Sequence, residues 1–386
     1  MELRVFNKEL EPLGVVDEYG SLIWTVKYFD VGTFSMQAPI TKNNCKLLTN
    51  GNILVKHDNK NDVTDENGDK WRRAAEIKYV QISTNEQGEE VLEVQGCMLG
   101  KWLSKRVVTP QIVLNTTEQN IINTLVNKNC GSYASQKRKF EQFIILSQDN
   151  FGGSNVEYSN ELYVDLGQEV KDQAQAGKLG YDILVNERQR LYGFYLYKGR
   201  DLTSTNTSDN TPCIFSRDFD NVNEQAYECS TENIKNFIYV QGAALEDETN
   251  QPLVTYDSES KAGLDLQETY CDASDISRSY ENDNGEKVTI ALKDYNSLLQ
   301  TRANTELSSY IESINFSSSI NTRSKLKYKT DFNLGDRVSC IEKRWNIKLD
   351  ARITEVVETY QKGEESLEIT FGESTPTLID KIRKVR

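Results

Sequence analysis

One histidine in 386 residues removes whole classes of chemistry. No HExxH metal helix can form, and a Ser-His-Asp triad would have to use His57 itself. His57 follows Ile53-Leu54-Val55-Lys56, at a strand end before a polar loop, and reads as a surface histidine. Seven cysteines (Cys45, Cys97, Cys130, Cys213, Cys229, Cys271 and Cys340) form no CxxC pair, so no zinc knuckle is expected. Their odd number and wide spacing point to reduced, buried thiols in a protein folded in a cytosol. No apolar run is long enough to span a membrane, and MELRVFNKEL lacks the apolar region of a signal peptide. Lys198-Gly199-Arg200-Asp201 lacks the glycine spacing of a phosphate loop, and Gly152-Gly153 lacks the following helix.

Basic residues are outnumbered, 45 against 59, leaving a net charge of −14. A surface this acidic disfavours nucleic acid and anionic lipid as specific partners, although an acidic channel wall would let DNA slide past. The acidic residues suggest no catalytic pair. Glu89-Glu90, Glu364-Glu365 and Asp218/Asp220 read as solvated turn and strand-end residues and not as glycosidase carboxylates. Asp58, Asp62, Asp65 and Asp69 lack EF-hand order and its terminal Glu, which argues against a calcium loop. Trp24, Tyr28, Phe34, Tyr192 and Phe194 suit strand core better than a sugar platform. No catalytic, cofactor-binding or metal residue is therefore assigned, no cofactor is expected, and the chain is read as a non-enzyme.

What is present is alternation. In the stretch 331–372, polar and apolar residues alternate from Asp336 to Ile341, through Ile347, Leu349, Ala351 and Ile353 to Val356 and Val357, and again in Leu367, Ile369 and Phe371. The N-terminal region repeats the pattern, with Leu22, Trp24, Val26 and Tyr28 on one face and Ile23, Thr25, Lys27 and Phe29 on the other. Ala75–Ser83 and Glu90–Gln95 form a hairpin, and Met98–Val107 a short helix or turn facing Leu99, Trp102 and Leu103 inward. About seven strands in 110 residues suffice for a small barrel.

After Pro110 the pattern changes. Thr116–Gln119 matches a capping box before the apolar face Ile121, Ile122, Leu125 and Val126, ended by Cys130-Gly131. Phe140–Leu146 reads as a strand, and Asp165 caps a helix through Ala176 closed by Gly177. Tyr181–Val185 and Leu191–Tyr197 form a hairpin. Cys213–Ser216 and Ile234–Gln241 read as strands, and Asp294 caps a helix to Tyr310. Residues 246–251 and 258–261 are expected to be polar and mobile, and the basic tail 377–386 to be a disordered or docking arm.

Four stretches carry a family likeness: VDEYGSLIWTVKYFDVGTFSMQAP (16–39), EVQGCMLGKWLSKRVV (93–108), the segment 197–242 from YKGRDLTSTNTSDN to FIYVQG, and FNLGDRVSCIEKRWNIKLDARITEVVETYQKGEESLEITFGE (332–373). Their combination resembles phage and prophage tail proteins of the baseplate-hub type. The resemblance implies a β-rich α+β chain with two tail-tube-like antiparallel β-barrels and an inserted α/β domain. The first barrel would span 1–110, and the second 181–199 with 313–376. The middle domain would span 111–180 with 200–312, and 377–386 would be an arm. It further implies a homotrimer whose six barrels form a pseudo-six-fold ring in the virion tail or baseplate, assembled in the host cytoplasm. That ring would join the tail tube or distal tail ring to a spike or tip protein, contact other baseplate proteins, and let DNA or tape-measure protein pass. No specific nucleic-acid binding and no membrane insertion are expected. A tail-associated peptidoglycan hydrolase and a receptor- or glycan-binding module are the alternatives.

Overall fold

In the computed structural model the structure describes residues 2–372, apart from 58–62, 85–87, 89, 161, 246–249, 282–286, 311–312 and 362. The arm 377–386, the ends of the two outer segments, and Asp58, Asp62 and Glu89 lie outside the described residues. With about 17% helix and 45% strand the protein is β-rich α+β, as expected.

The first β unit comes from one continuous stretch. Its strands are β1 (Glu2–Phe6), β2 (Pro12–Val16), β3 (Ser21–Lys27), β4 (Thr33–Pro39), β5 (Ile53–His57), β6 (Val63–Thr64), β7 (Lys70–Thr84) and β8 (Glu90–Met98), with helix α1 (Lys42–Leu47) between β4 and β5. They pair antiparallel in the spatial order β2–β1–β5–β7–β8–β4–β3. The period of two decides which face is covered: Leu22, Trp24 and Val26 of β3 and Phe34, Met36 and Ala38 of β4 are buried, while Ile23 is exposed. Trp24, Tyr28 and Phe34 are thus core residues, as their alternation predicts. Strand β5 differs. Ile53, Leu54, Val55 and Lys56 are all buried, because a second core covers its other face.

That second core follows in sequence. The 3₁₀ turn Leu99–Lys105 buries Leu99, Trp102 and Leu103, as expected. Then come β9 (Val113–Thr116), α2 (Glu118–Asn129), β10 (Phe143–Ile145), β11 (Val156–Ser159), α3 (Leu166–Gly177), β12 (Gly180–Asn186) and β13 (Leu191–Tyr197). Helix α2 buries Ile121, Ile122, Leu125 and Val126, but its N-cap is Thr117 and no side chain caps it. Thr116 instead accepts from Asn120 Nδ2 (3.0 Å), so the expected capping box does not form. The Asp165 carboxylate does cap α3, accepting the Gln168 N–H at 2.9 Å. The helix closes on Lys178 in the left-handed region, with Gly177 its last residue.

The hairpin β12–β13 joins β7 through Leu184↔Arg73 and Val185↔Arg72. Every residue of β12 is buried. Ile183 and Val185 face the α2–α3 core, and Leu184 packs with Trp71 and Leu146 on the opposite side. Among the described residues the segment 181–199 makes no strand pairing with 313–372.

The second β unit is gathered from two segments: β14 (Asp201–Leu202), β15 (Ile214–Ser216) and β16 (Val222–Ser230) from one, and β22 (Ser313–Ile320), β23 (Arg337–Glu342), β24 (Ile347–Gln361) and β25 (Glu364–Gly372) from the other. Here β16–β22–β25–β24 pair antiparallel, β23 pairs with the first half of β24, and β14 and β15 add to β23 in parallel. A bulge between Ile353 and Glu355 resets the phase of β24, so Ala351 and Ile353 are buried before it and Val356 and Tyr360 after it.

The two units share one core and one sheet, because β3 pairs with the second half of β24, from Lys27↔Glu355 to Ser21↔Gln361. Two closed barrels were expected; among the described residues neither pairing closes. Strand β3 gives its second edge to β24 and not to its chain neighbour β2, which leaves the path β2 to β16 open at both ends.

Between the halves of the second unit lies a small layer: β17 (Phe237–Gly242), β18 (Leu253–Asp257), β19 (Glu268–Ala273), the hairpin β20 (Ser279–Glu281) with β21 (Lys287–Thr289), and α4 (Leu292–Leu307). Helix α4 covers one sheet face with Tyr295, Leu298, Leu299 and Leu307. Its N-cap is Ala291 and not Asp294, which sits in the first turn. Residues 258–261 are exposed and form no helix or strand, and Asp257 accepts the Glu259 and Ser260 N–H groups (3.1 and 2.7 Å).

Candidate functional site

The residues weighed for chemistry lie apart. His57 ends β5 with Nε2 3.3 Å from Arg4 Nη2. Asp218 pairs with exposed Lys343 at 2.6 Å, and Asp220 ends a 3₁₀ turn in the left-handed region. Glu364 and Glu365 open β25 in solvent, and Glu90 opens β8. Asp65 accepts the Trp71 indole N–H (2.9 Å) and the N–H groups of Asn67 and Asp69, which hold its carboxyl below the usual range and close a turn. Among the described residues no three metal-binding side chains converge. None of the seven cysteines is in a disulfide. Cys130, Cys213 and Cys340 are buried, and burial pushes the Cys130 and Cys213 thiols to about 12. Cys229 departs from the buried reading: it is exposed, because it lies on the sheet edge β16.

The constellation that does form is a joint built on Tyr28, just beyond β3. Its ring is fully buried, and its N–H donates to the Thr354 carbonyl (2.8 Å). Its hydroxyl lies 3.0 Å from the Lys178 carbonyl oxygen and 3.3 Å from that of Tyr197, and accepts the Gly199 N–H at 3.4 Å. Arg352 stacks over the ring at 5.0 Å, and Tyr197 meets it edge-on at 5.3 Å. One side chain therefore touches the first unit, the end of α3, the strand leaving the hairpin, and the second unit. Two glycines make room for it. A Cβ on Gly335, at φ +93°, would lie 2.3 Å from Tyr28 Cε2, and one on Gly180 2.5 Å from Cδ2. Burial raises the Tyr28 hydroxyl pKa, so it remains protonated.

Beside the joint, Asp336 fastens the chain where it crosses into the second unit. The Arg200 N–H donates to Oδ1 (2.8 Å), the Arg200 guanidinium to Oδ2 (2.7 Å), and the Asn333 N–H to Oδ2 (2.8 Å). The Arg200 carbonyl then accepts the Arg337 N–H (2.8 Å), which starts the parallel pairing of β14 with β23. Donating to the Asp336 carboxylate raises the Arg200 pKa. Sequence reasoning read Lys198–Asp201 only as a failed phosphate loop and assigned Gly335 no functional role. A glycine in each of two distant turns was the available signal, but nothing local pairs them.

Among the described residues the main strand path ends in two outer strands. Among the described residues strand β2 pairs in a ladder only with β1, and β16 only with β22, while the Val15 carbonyl on β2 accepts from Asn43 Nδ2 at 3.3 Å. Leu13 and Val15 on β2 and Tyr227 on β16 are exposed. Open edges of this kind are templates for strand addition by another chain.

This fold is that of tail proteins. The chain superposes on a tail protein from Neisseria meningitidis MC58 with a TM-score of 0.56 at 12% identity, covering 96% of each chain. It superposes on the 43 kDa tail protein of prophage MuSo2 from Shewanella oneidensis with 0.55 at 10% identity, covering 96% of this chain and 98% of the other. For prophage tail protein gp18 from Listeria monocytogenes EGD-e the values are 0.52, 11%, 100% and 98%. No curated protein matches the sequence. The likeness to phage and prophage tail proteins carried by the four stretches is thus matched along the whole fold. Residues 2–373 fit the family pattern described as Siphovirus ReqiPepy6 Gp37-like protein, and the chain belongs to that family.

Proposed function

We propose that the protein is a structural hub of a phage tail, in which three copies form a ring between the tail tube and the tip. The observation that carries this reading is the pair of outer strands, β2 and β16, which among the described residues each have one ladder partner and lie at opposite ends of one strand path. Pairing β2 of one copy with β16 of the next would satisfy both edges and close a collar, which a chain with one open edge could not do. Each copy would contribute two tube-like β units, so three copies present six units to a six-fold tube and three chains to a three-fold tip. The division 1–110, 111–180 with 200–312, and 181–199 with 313–376 belongs to this proposal, as does an arm at 377–386. The strand pairings favour taking 181–199, which joins β7, out of the second unit and adding 201–230 to it. Partners would be the tube or distal tail ring, a spike or tip protein, tape-measure protein and other baseplate proteins. The role needs no catalysis. At −14 per chain the ring would carry a negative field that repels DNA phosphate.

Native mass spectrometry of the purified protein tests the ring. A trimer is expected, and Val15→Lys on β2 or Tyr227→Lys on β16 should each release folded monomers. A protein that is monomeric both alone and beside its tube subunit would overturn the collar.

A further inference from the structure

Strand β24 is 15 residues long and carries opposite charge at its two ends. At the Ile347 end three turns meet. The β23–β24 turn is closed by the Asn346 N–H on the Lys343 carbonyl (3.2 Å), with Asn346 in the left-handed region. Lys343 reaches Asp218 at 2.6 Å, which fixes the 3₁₀ turn Arg217–Phe219 beside it. Asn321 Nδ2 donates to the Asp220 carbonyl (2.8 Å), which brings in the loop after β22. Arg217, Arg323, Lys325, Lys343, Arg344 and Lys348 are all exposed here, and among the described residues only Lys343 has a carboxylate partner. Two large rings stand among these cations: Phe219 is 61% and Trp345 47% exposed, whereas Trp24, Trp71 and Trp102 are buried.

At the Gln361 end the sign reverses. The ladder pair Ser21↔Gln361 sets the turn before β3 beside the turn before β25. Asp17, Glu18, Glu364 and Glu365 are exposed there, and among the described residues none of them has a cation partner. Lys362 is the one basic residue in the two turn sequences. Ile23 is exposed beside them, opposite Thr359. The two ends are kept apart within one copy, because 15 extended residues cover roughly 45 Å. Unpaired charge of each sign on opposite ends suits contact between unlike ends of two copies, which a closed cycle repeats at every subunit.

We infer that the basic end, through Lys343, Arg344, Trp345 and Phe219, docks on the acidic end of a second copy, at Asp17, Glu18, Glu364 and Glu365. The inference rests on the ring reading and names a contact within that ring. Exposed ion pairs contribute little each, so the two aromatic rings supply the buried area and the charges set which ends meet. A net charge of −14 per copy disfavours a membrane or a nucleic acid as the occupant.

Charge reversal in the full chain tests the contact. K343E/R344E and E364K/E365K should each weaken self-association in native mass spectrometry and sedimentation by at least about tenfold, since like charges then face each other. The variant carrying all four changes should regain it. All six positions of charge and ring involved are exposed, so melting curves of the variants should match the parent. Trp345 is a built-in reporter: acrylamide should quench tryptophan fluorescence less in the assembled parent than in K343E/R344E monomers. Equal quenching overturns the proposal, and so does a fourfold variant that stays dissociated. A trimer that persists in K343E/R344E while Val15→Lys still releases monomers leaves the collar standing and removes this contact. Retention on heparin that K343E/R344E abolishes, with the oligomer unchanged, gives the basic end to a polyanion and likewise overturns it.

Discussion

Residues 2–98 build the first β unit from one uninterrupted stretch, whereas the second gathers 201–230 and 313–372 from either side of the α4 layer. In the first, every ladder is antiparallel; in the second, β14 and β15 add in parallel to a strand more than a hundred residues away. Continuity keeps the loop-closure cost low and lets local hairpins form their ladders early. The discontinuous unit closes long loops before its contacts form, so it depends on side chains that fix the crossing points. Tyr28 and Asp336 are those side chains. The comparison teaches that similar strands can differ in independence because of how the chain reaches them, even when their cores merge.

The largest way to break the comparison is Tyr28→Ala. It removes a fully buried ring and should cost about 3–5 kcal/mol in chemical denaturation. Hydrogen exchange should accelerate in β22–β25 before it does in β1, β5 and β7. Equal acceleration in both units would mean that the second is no more dependent than the first. Asp336→Ala comes next. It strands the Asn333 and Arg200 N–H groups, and because the Arg200 guanidinium is half exposed the expected loss is about 2 kcal/mol. Melting curves should show it, while Asp218→Ala, at an exposed pair with Lys343, stays within about 0.5 kcal/mol of the parent.

A double-mutant cycle sharpens the picture. Gly335→Ala places a methyl group against Tyr28 at a positive φ and should cost roughly 1–3 kcal/mol. Part of that loss should vanish in the Tyr28→Ala background; strictly additive losses would show that the clash with the ring is not its cause.

The smallest effect lies outside both units, on α3. Burial and then the Glu169 charge raise the Asp172 carboxyl to about 7, with further repulsion from Glu306 on α4. The folded state therefore holds a proton that the unfolded chain releases near its ordinary pKa of 3.8. Stability from this group is full below about pH 4 and is lost as pH rises through 7. Asp172→Asn should raise the Tm by roughly 2 °C at pH 8 and leave it nearly unchanged at pH 4. An equal gain at both values would point to a packing effect.

Much of the fold was legible in sequence because buried strand faces follow a period of two. Leu22, Trp24 and Val26, and likewise Leu367, Ile369 and Phe371, are buried as that period requires. Helix α3 was legible because an aspartate cap leaves a local signature. The β18 and β19 strands were missed since only one face is apolar and the other, with Glu268, Tyr270 and Asp272, looks like loop. The joint was illegible for a different reason: its members come from positions 28, 178, 197, 199, 335, 352 and 354, and no local pattern links them.

Side-chain alternation by itself determined which residues face the interior, and the balance of 59 acidic against 45 basic residues determined the sign of the field. Which strand lies beside which was decided only in the tertiary structure. Backbone hydrogen bonds are the same for every residue, so β3 offers its free edge equally to β2 and to β24. The structure pairs it with β24, and beside that ladder Tyr28 packs against Gly335 and Arg352, residues more than three hundred positions away.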